Sequence, residues 1–227
     1  MLKLPQVTVV ALAGVRIRET VKALDHSRRD AVFGRVLLIS HSKPRNLPRG
    51  IDYEYTTKSE DIYEWCHKII YELHSYIDTQ YVILIHSDGF IVNPDQWRDD
   101  FLDYDYIGAP WPVPSDNSFR DIYGQLVRVG NSVSLRSKRI LELPSKLDLP
   151  WEPRNGNFHE DGFLCCNNRH ILEGNGIRFA PLEIAKYFSH ETMIPEIHGI
   201  KPFAFHKWAG SNRNFPRYGM HKFSRRW

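Results

Sequence analysis

The sequence predicts an α/β fold with a mostly parallel central sheet flanked by helices, and three features of its first 95 residues carry that prediction. Short apolar runs alternate with helical stretches, the strand–helix–strand rhythm of parallel sheets. The runs are continuous rather than alternating, as strands covered on both faces are. One stretch shows unmistakable helical periodicity: Ile62, Trp65, Cys66, Ile69, Ile70, Leu73 and Ile77 fall at i, i+3, i+4 and i+7 spacing.

In order, residues 6–13 are apolar and β-branched and form a first strand. Residues 18–31 have helical character, and residues 35–40 (RVLLIS) are a second buried strand. A thinner third strand covers 52–56. Thr57 and Glu60 then make a capping-box signature that opens the periodic helix. The fourth strand is 81–85. Beyond residue 95 proline and glycine become frequent and helical periodicity fades, so the second half reads as strands and loops completing the same domain.

The bulk properties narrow the function classes. A chain of 227 residues suits one domain with a sizeable core. No uncharged apolar stretch is long enough for a membrane span. The opening MLKLPQVTVVALAG reads as a strand rather than a leader, since Pro5 and Gln6 interrupt it and Arg16 and Arg18 follow at once. Three cysteines, two of them adjacent (Cys165, Cys166), fit reduced thiols and a cytoplasmic setting better than a disulfide framework or a zinc site. The net charge is +3, yet Lys201, Lys207, Arg213, Arg217, Lys222, Arg225 and Arg226 crowd the C-terminus with no acidic residue among them. Such a tail suits phosphates or an anionic membrane face. Its interleaved aromatics, Phe203 and Phe205 among them, argue that part of it packs.

Several site types are disfavoured. The first strand ends ALAGVRIRE with one glycine, which fits neither a dinucleotide fingerprint nor a P-loop. No Gly-x-Ser-x-Gly elbow or His-Glu-x-x-His is present. Three polar clusters remain: His86-Ser87-Asp88, His159-Glu160-Asp161 and His206-Lys207-Trp208. Asp88 has two readings. Asp-Gly between apolar runs is a hairpin signal, but the end of a buried parallel strand is also where α/β sheets bind ligands. Likewise Glu160-Asp161 could simply start a helix, and His206 could be a core histidine. If carboxylate and imidazole converge, oxygen ligands with some nitrogen suit Mn²⁺, or Mg²⁺ with more waters.

Six segments, in order, resemble a known group. LIHSDG (84–89), YDYIGAPW (104–111), VGNSVSLRS (129–137), EDGF (160–163), FSHE (188–191) and PFAFH (202–206) are similar to segments of bacterial and eukaryotic glycosyltransferase-like proteins of the GT-A fold. The resemblance implies a single GT-A-like domain: residues 1–95 as the nucleotide-sugar half, 96–206 as the acceptor and catalytic half, 207–227 as a basic aromatic tail. It implies a hexosyltransferase that moves sugar from a nucleotide-diphosphate donor to a glycan acceptor with inversion, assisted by Mn²⁺ or Mg²⁺, in surface polysaccharide or glycoconjugate synthesis. Asp88 and His206 would hold the metal, and Lys207 would touch the diphosphate. Ala11, Ala13, Arg16, Gly130, Asn131 and Ser134 would join Asp88 and Lys207 around the donor, and Trp111 would face an acceptor sugar. Asp161 or Glu160 would be the base. Two departures stand out: His86 replaces the first Asp of Asp-x-Asp, and Ser132-Val133 replaces a glycine-rich pair. Peripheral association at the inner membrane face, with a lipid-linked acceptor and no nucleic acid, would follow from the tail. A metal-dependent hydrolase or a carbohydrate-binding module are the competing readings.

Overall fold

The computed structural model describes residues 1–130, 133–152 and 159–206. Strands β1 (Leu2–Ala13), β2 (Ala31–Ser40), β3 (Asp52–Tyr55) and β4 (Tyr81–Leu84) lie parallel in the order β3-β2-β1-β4. Two further strands, β7 (Ser134–Ser137) and β6 (Tyr106–Ile107), extend this sheet beyond β4; β7 pairs antiparallel with β4 and with β6, so it alone opposes the other strands. The result is the expected α/β architecture, a six-stranded and mostly parallel sheet flanked by helices. A small second sheet joins β5 (Gly89–Ile91), β9 (Ala204–His206) and β8 (Ser189–His190).

Both faces of the main sheet are buried, which explains the continuous apolar strands. Successive side chains point to opposite faces. Val10, Leu12, Leu37, Ile39, Val82 and Leu84 pack with Ile69 and Leu73 on one side. Val9, Ala11, Leu38 and Ile83 pack with Leu24, Phe90 and Phe203 on the other. Phe203 and Phe205 are fully interior, so the aromatics that open the C-terminal segment do pack. No helix among the described residues is long and apolar enough to cross a membrane, and the three cysteines are free and buried.

Three local expectations need correction. The first helix, α1 (Ile17–Ser27), ends four residues before 31. Asp30 turns the chain with φ 59°, a conformation Asp tolerates better than most residues, and Ala31 already pairs in β2. The second helix, α2 (Ile62–Tyr71), is capped by Asp61 and not by Thr57. The Asp61 carboxylate accepts from Glu64 N at 2.9 Å, and the Glu64 carboxylate accepts from Glu60 N at 2.8 Å. Thr57 instead receives the ammonium of buried Lys68 on its hydroxyl at 2.6 Å. The second half also holds more helix than its composition suggests. It contains α3 (Lys138–Lys146), α4 (Glu160–Gly162) running into a π-helical turn (Phe163–Asn167), α5 (Arg169–Gly174) and α6 (Leu182–Phe188). These segments are short, and Pro144 inside α3 hides its periodicity.

Candidate active site

The carboxyl ends of β1 and β4 open into a cleft of about 770 Å³. Around it stand the β1 end, the start of α2, the β4–β5 turn, the segment 111–119, the start of α4, the residues after β8 and the end of β9. Six residues expected from the sequence line it, Ala13, Asp88, Trp111, Glu160, Asp161 and His206, and three of them carry the cleft's chemistry: Asp88, Asp161 and His206.

The β4–β5 turn delivers Asp88. His86 N donates to Gly89 O at 2.7 Å, closing a tight turn with Ser87 and Asp88 at its corner. Neither corner residue has positive φ, whereas two-residue hairpins favour turns that require it. Accordingly β5 does not fold back on β4 but pairs with β9, Gly89 opposite His206. Asp88 is therefore both a turn residue and a cleft residue. Glycine is required at 89 by proximity, since a Cβ there would come within 2.6 Å of the His206 ring.

His206 is held from two sides. Its Nδ1 lies 3.1 Å from Glu191 Oε1 and its Nε2 lies 3.5 Å from Asp88 Oδ1. Burial opposes charge on the ring, but the two carboxylates outweigh it and raise the pKa to about 9. Burial likewise opposes charge on Asp88, yet the bond and charge of His206 hold its carboxyl below the ordinary range. The His86 ring lies 5.3 Å from that of His206 and 5.4 Å from that of Trp65, and Trp65 Nε1 donates to Leu12 O at 2.7 Å.

The acidic pair at the start of α4 is split in its environment. Glu160 is 3% exposed, accepts from Arg136 Nη2 at 3.0 Å and from the Cys66 thiol at 3.8 Å, and is committed to that interior network. Arg136 is itself fully buried and also donates to Ser134 Oγ at 2.8 Å. Asp161 turns to the cleft and accepts from Gly162 N at 2.7 Å. Burial, then the negative charges of Glu160 and Glu191, hold its carboxyl well above the usual carboxylate range. A cleft carboxylate poised this way can accept a proton near neutral pH.

The other expected residues are placed as follows. Ala13 lines the cleft, while Ala11 is buried in the core one turn of the pleat away and Arg16 is exposed outside it, at the head of α1. Ser134 is spent on Arg136, and Gly130 packs beneath the Trp111 ring, where a Cβ would clash at 2.4 Å. None of Ala11, Arg16, Gly130 and Ser134 lines the cleft. Trp111 does, but it is only 5% exposed and Phe119 stacks on it at 4.5 Å and 19°. Asn131, Lys207 and the tail 207–227 lie outside the described residues.

Residues 50–206 match the family described as Protein of unknown function (DUF5672). The chain belongs to this family. Its match takes in Asp88, Glu160, Asp161, Glu191 and His206. No curated protein matches the chain in sequence. Solved structures of similar fold include a glycosyltransferase involved in the glycosylation of the major capsid of PBCV-1. It is 11% identical, with a TM-score of 0.54, and the match covers 90% of this chain and 93% of that one. Another is the apo-form glycosyltransferase GlyE of Streptococcus pneumoniae TIGR4, 11% identical with a TM-score of 0.40, covering 94% of this chain and 57% of that one. At such identity the first likeness is one of fold, and the second is too loose to add to it.

One feature of the Asp88–His206 corner of this DUF5672 chain bears on a divalent cation, which would have to displace the proton that the two carboxylates hold on the His206 ring. Ligating histidines usually give their second ring nitrogen to a carboxylate, which fixes the tautomer. Glu191 takes that place on Nδ1, and Nε2 is left facing Asp88. Among the described residues no group of three or more such ligands assembles. Two protein ligands are what Mg²⁺-type sites use when substrate phosphates and water complete the shell. Reading the sequence alone missed Glu191, Trp65 and Phe119 as cleft residues. FSHE was visible as a segment, but nothing in it said that its glutamate would reach a histidine fifteen positions on.

Proposed function

We propose that the chain is a GT-A-type glycosyltransferase that moves a sugar from a nucleotide-diphosphate donor to an acceptor hydroxyl with inversion. One observation carries the reading: Asp88 with His206, and separately Asp161, converge in a single cleft at the carboxyl ends of β1 and β4. That is where open α/β sheets bind ligands. The fold shared with a solved glycosyltransferase supports it.

In this scheme Asp161 takes the proton of the acceptor hydroxyl as that oxygen bonds to the anomeric carbon. The bond from that carbon to the diphosphate breaks, and the nucleoside diphosphate leaves with its electrons. Asp88 and His206 would hold a Mn²⁺ or Mg²⁺ ion, and such an ion would supply positive charge to offset the charge that develops on the diphosphate as it leaves. The composition of the cleft supports the need for such charge. Its lining includes Glu60, Asp61, Asp88, Glu160, Asp161 and Glu191, and no Lys or Arg among the described residues. Glu160, tied to Arg136, orients the start of α4 and leaves the base role to Asp161. A hexose as the transferred sugar, a surface glycan as acceptor and a cytoplasmic site at a membrane face complete the proposal.

The test is thermal unfolding of the protein with nucleoside diphosphates, with and without Mn²⁺, repeated on Asp88→Ala. A ligand at 100 times its Kd stabilises the folded state by about 2.7 kcal/mol. The expected outcome is a metal-dependent rise in Tm with one nucleotide that Asp88→Ala abolishes. No rise with any nucleotide in the presence of metal rejects the donor site.

A further inference from the structure

The segment between Pro110 and Val129 forms an arm over the cleft, its ends paired antiparallel and its tip closed by Asp121, whose carboxylate accepts from Tyr123 N and Gln125 N. Phe119 sits on this arm with φ 55°. A left-handed backbone is costly for an aromatic residue and persists only where the surroundings enforce it. Here Val127 N donates to Phe119 O at 2.7 Å, Arg128 Nε donates to Trp111 O at 3.0 Å, and Arg128 also pairs with Glu196 at 2.7 Å. Phe119 packs against the edge of the second core cluster, of which Trp111 is a member. The effect of that conformation is to lay the Phe119 ring flat on Trp111, at 4.5 Å and 19°, while both residues line the cleft that holds Asp161. Trp111 is almost wholly covered, its other contacts including Gly130, so the half-buried Phe119 is the ring that the pair offers to a ligand.

We propose that Phe119, backed by Trp111, is the platform of the acceptor subsite and that it takes the ring of an uncharged sugar. This rests on the glycosyltransferase reading and names the substrate class of the same cleft. The apolar C–H face of a pyranose suits a flat aromatic ring, and its hydroxyls are donors. The charged groups on the cleft wall are carboxylates, with His206 already held between two of them and no Lys or Arg among the described lining residues. A neutral polyol satisfies those acceptors. A uronic acid would set like charge against them in a partly enclosed site, where screening is weak.

The experiment uses neutral methyl glycosides (glucoside, galactoside, mannoside) and methyl glucuronide as probes. Saturation-transfer NMR and tryptophan fluorescence report binding to wild type, Phe119→Leu and Phe119→Trp, with and without nucleoside diphosphate and Mn²⁺. Leucine keeps apolar cover over Trp111 but has no flat face, and tryptophan keeps the face. At least one neutral glycoside should bind wild type in preference to the glucuronide. Its affinity should fall about tenfold in Phe119→Leu, the scale of an aromatic stacking contact, and persist in Phe119→Trp. The inference is overturned if no neutral glycoside binds, if Phe119→Leu binds as wild type does, or if the glucuronide is preferred. The nucleotide-dependent Tm shift on the same samples separates the two readings. A shift without a Phe119 effect overturns the platform and leaves the donor site standing, and the absence of both overturns the pair.

Discussion

Asp161 and Glu160 are neighbouring carboxyl groups, and the difference between them is set by what each faces. Glu160 turns inward to a guanidinium with no exposure at all, and Asp161 turns outward to the cleft. A buried pair of this kind adds little net stability, but it leaves a charge stranded if one partner is lost. Its value here is to anchor the start of α4 so that Asp161 has one orientation. Replacing Asp161 with Asn removes the proposed base and keeps the shape. Transfer should fall by roughly 10²–10⁴, while the nucleotide-dependent Tm shift persists, checked by steady-state kinetics once a donor is known. The wild-type rate should also show an acid limb. Because burial and the charges of Glu160 and Glu191 raise the Asp161 carboxyl, it becomes protonated at a higher pH than an ordinary carboxylate, and activity should decline from that higher pH downward.

Among the elements, α2 does two jobs. Its apolar stripe, Cys66, Ile69 and Ile70, is buried, and its first turn brings Asp61, Ile62 and Trp65 to the cleft. The true cap lies four residues beyond the Thr-x-x-Glu signature because Asp61 accepts from Glu64 N while the Glu64 carboxylate takes Glu60 N, and Thr57 is engaged by Lys68. Removing a cap costs about 1 kcal/mol. Asp61→Ala should therefore lower stability by about that amount in urea unfolding through loss of the helix start. The rest of α2 stays anchored by its buried face. The β4–β5 turn shows the same tension between local signal and outcome. An Asp-Gly pair suggests a hairpin, but β9 competes for β5 and wins, which is how His206 comes to face Asp88.

For the molecule as a whole, a histidine buried in the small second sheet has a consequence for acid stability. His190 is 4% exposed, donates through its ring to Lys186 O at 2.7 Å, and burial lowers its pKa to about 4. In the unfolded chain it titrates near 6.5. Above that pH both states are neutral and it contributes nothing. As pH falls from 6.5 towards 4 the unfolded state binds a proton that the folded state refuses, so stability drops, and the loss is complete below about 4. At pH 5 the loss attributable to this residue is about 2 kcal/mol. His190→Gln keeps a donor for the Lys186 carbonyl and cannot titrate. Its urea-unfolding free energy should fall less between pH 7 and 5 than that of wild type, by about that amount.

The fold class was legible in the sequence because it depends on period and burial, which are local: continuous apolar strands, one clear helical stripe, and their order. Asp88 stood out for a related reason: it follows the apolar run of β4, and the carboxyl ends of parallel strands gather such residues. His206 closes the short run of β9, whereas Asp161 precedes its apolar run at the start of α4 and was marked only as part of an acidic cluster. What the chain alone left open was which groups each would meet. Glu191 behind His206, Arg136 behind Glu160, and Phe119 on Trp111 are contacts across 15, 24 and 8 positions, with no periodicity to mark them. They are decided by strand order and by the insertion of β9 beside β5. Long-range pairing of that kind is won by the total of buried surface and satisfied polar groups, not by the propensity of any one segment.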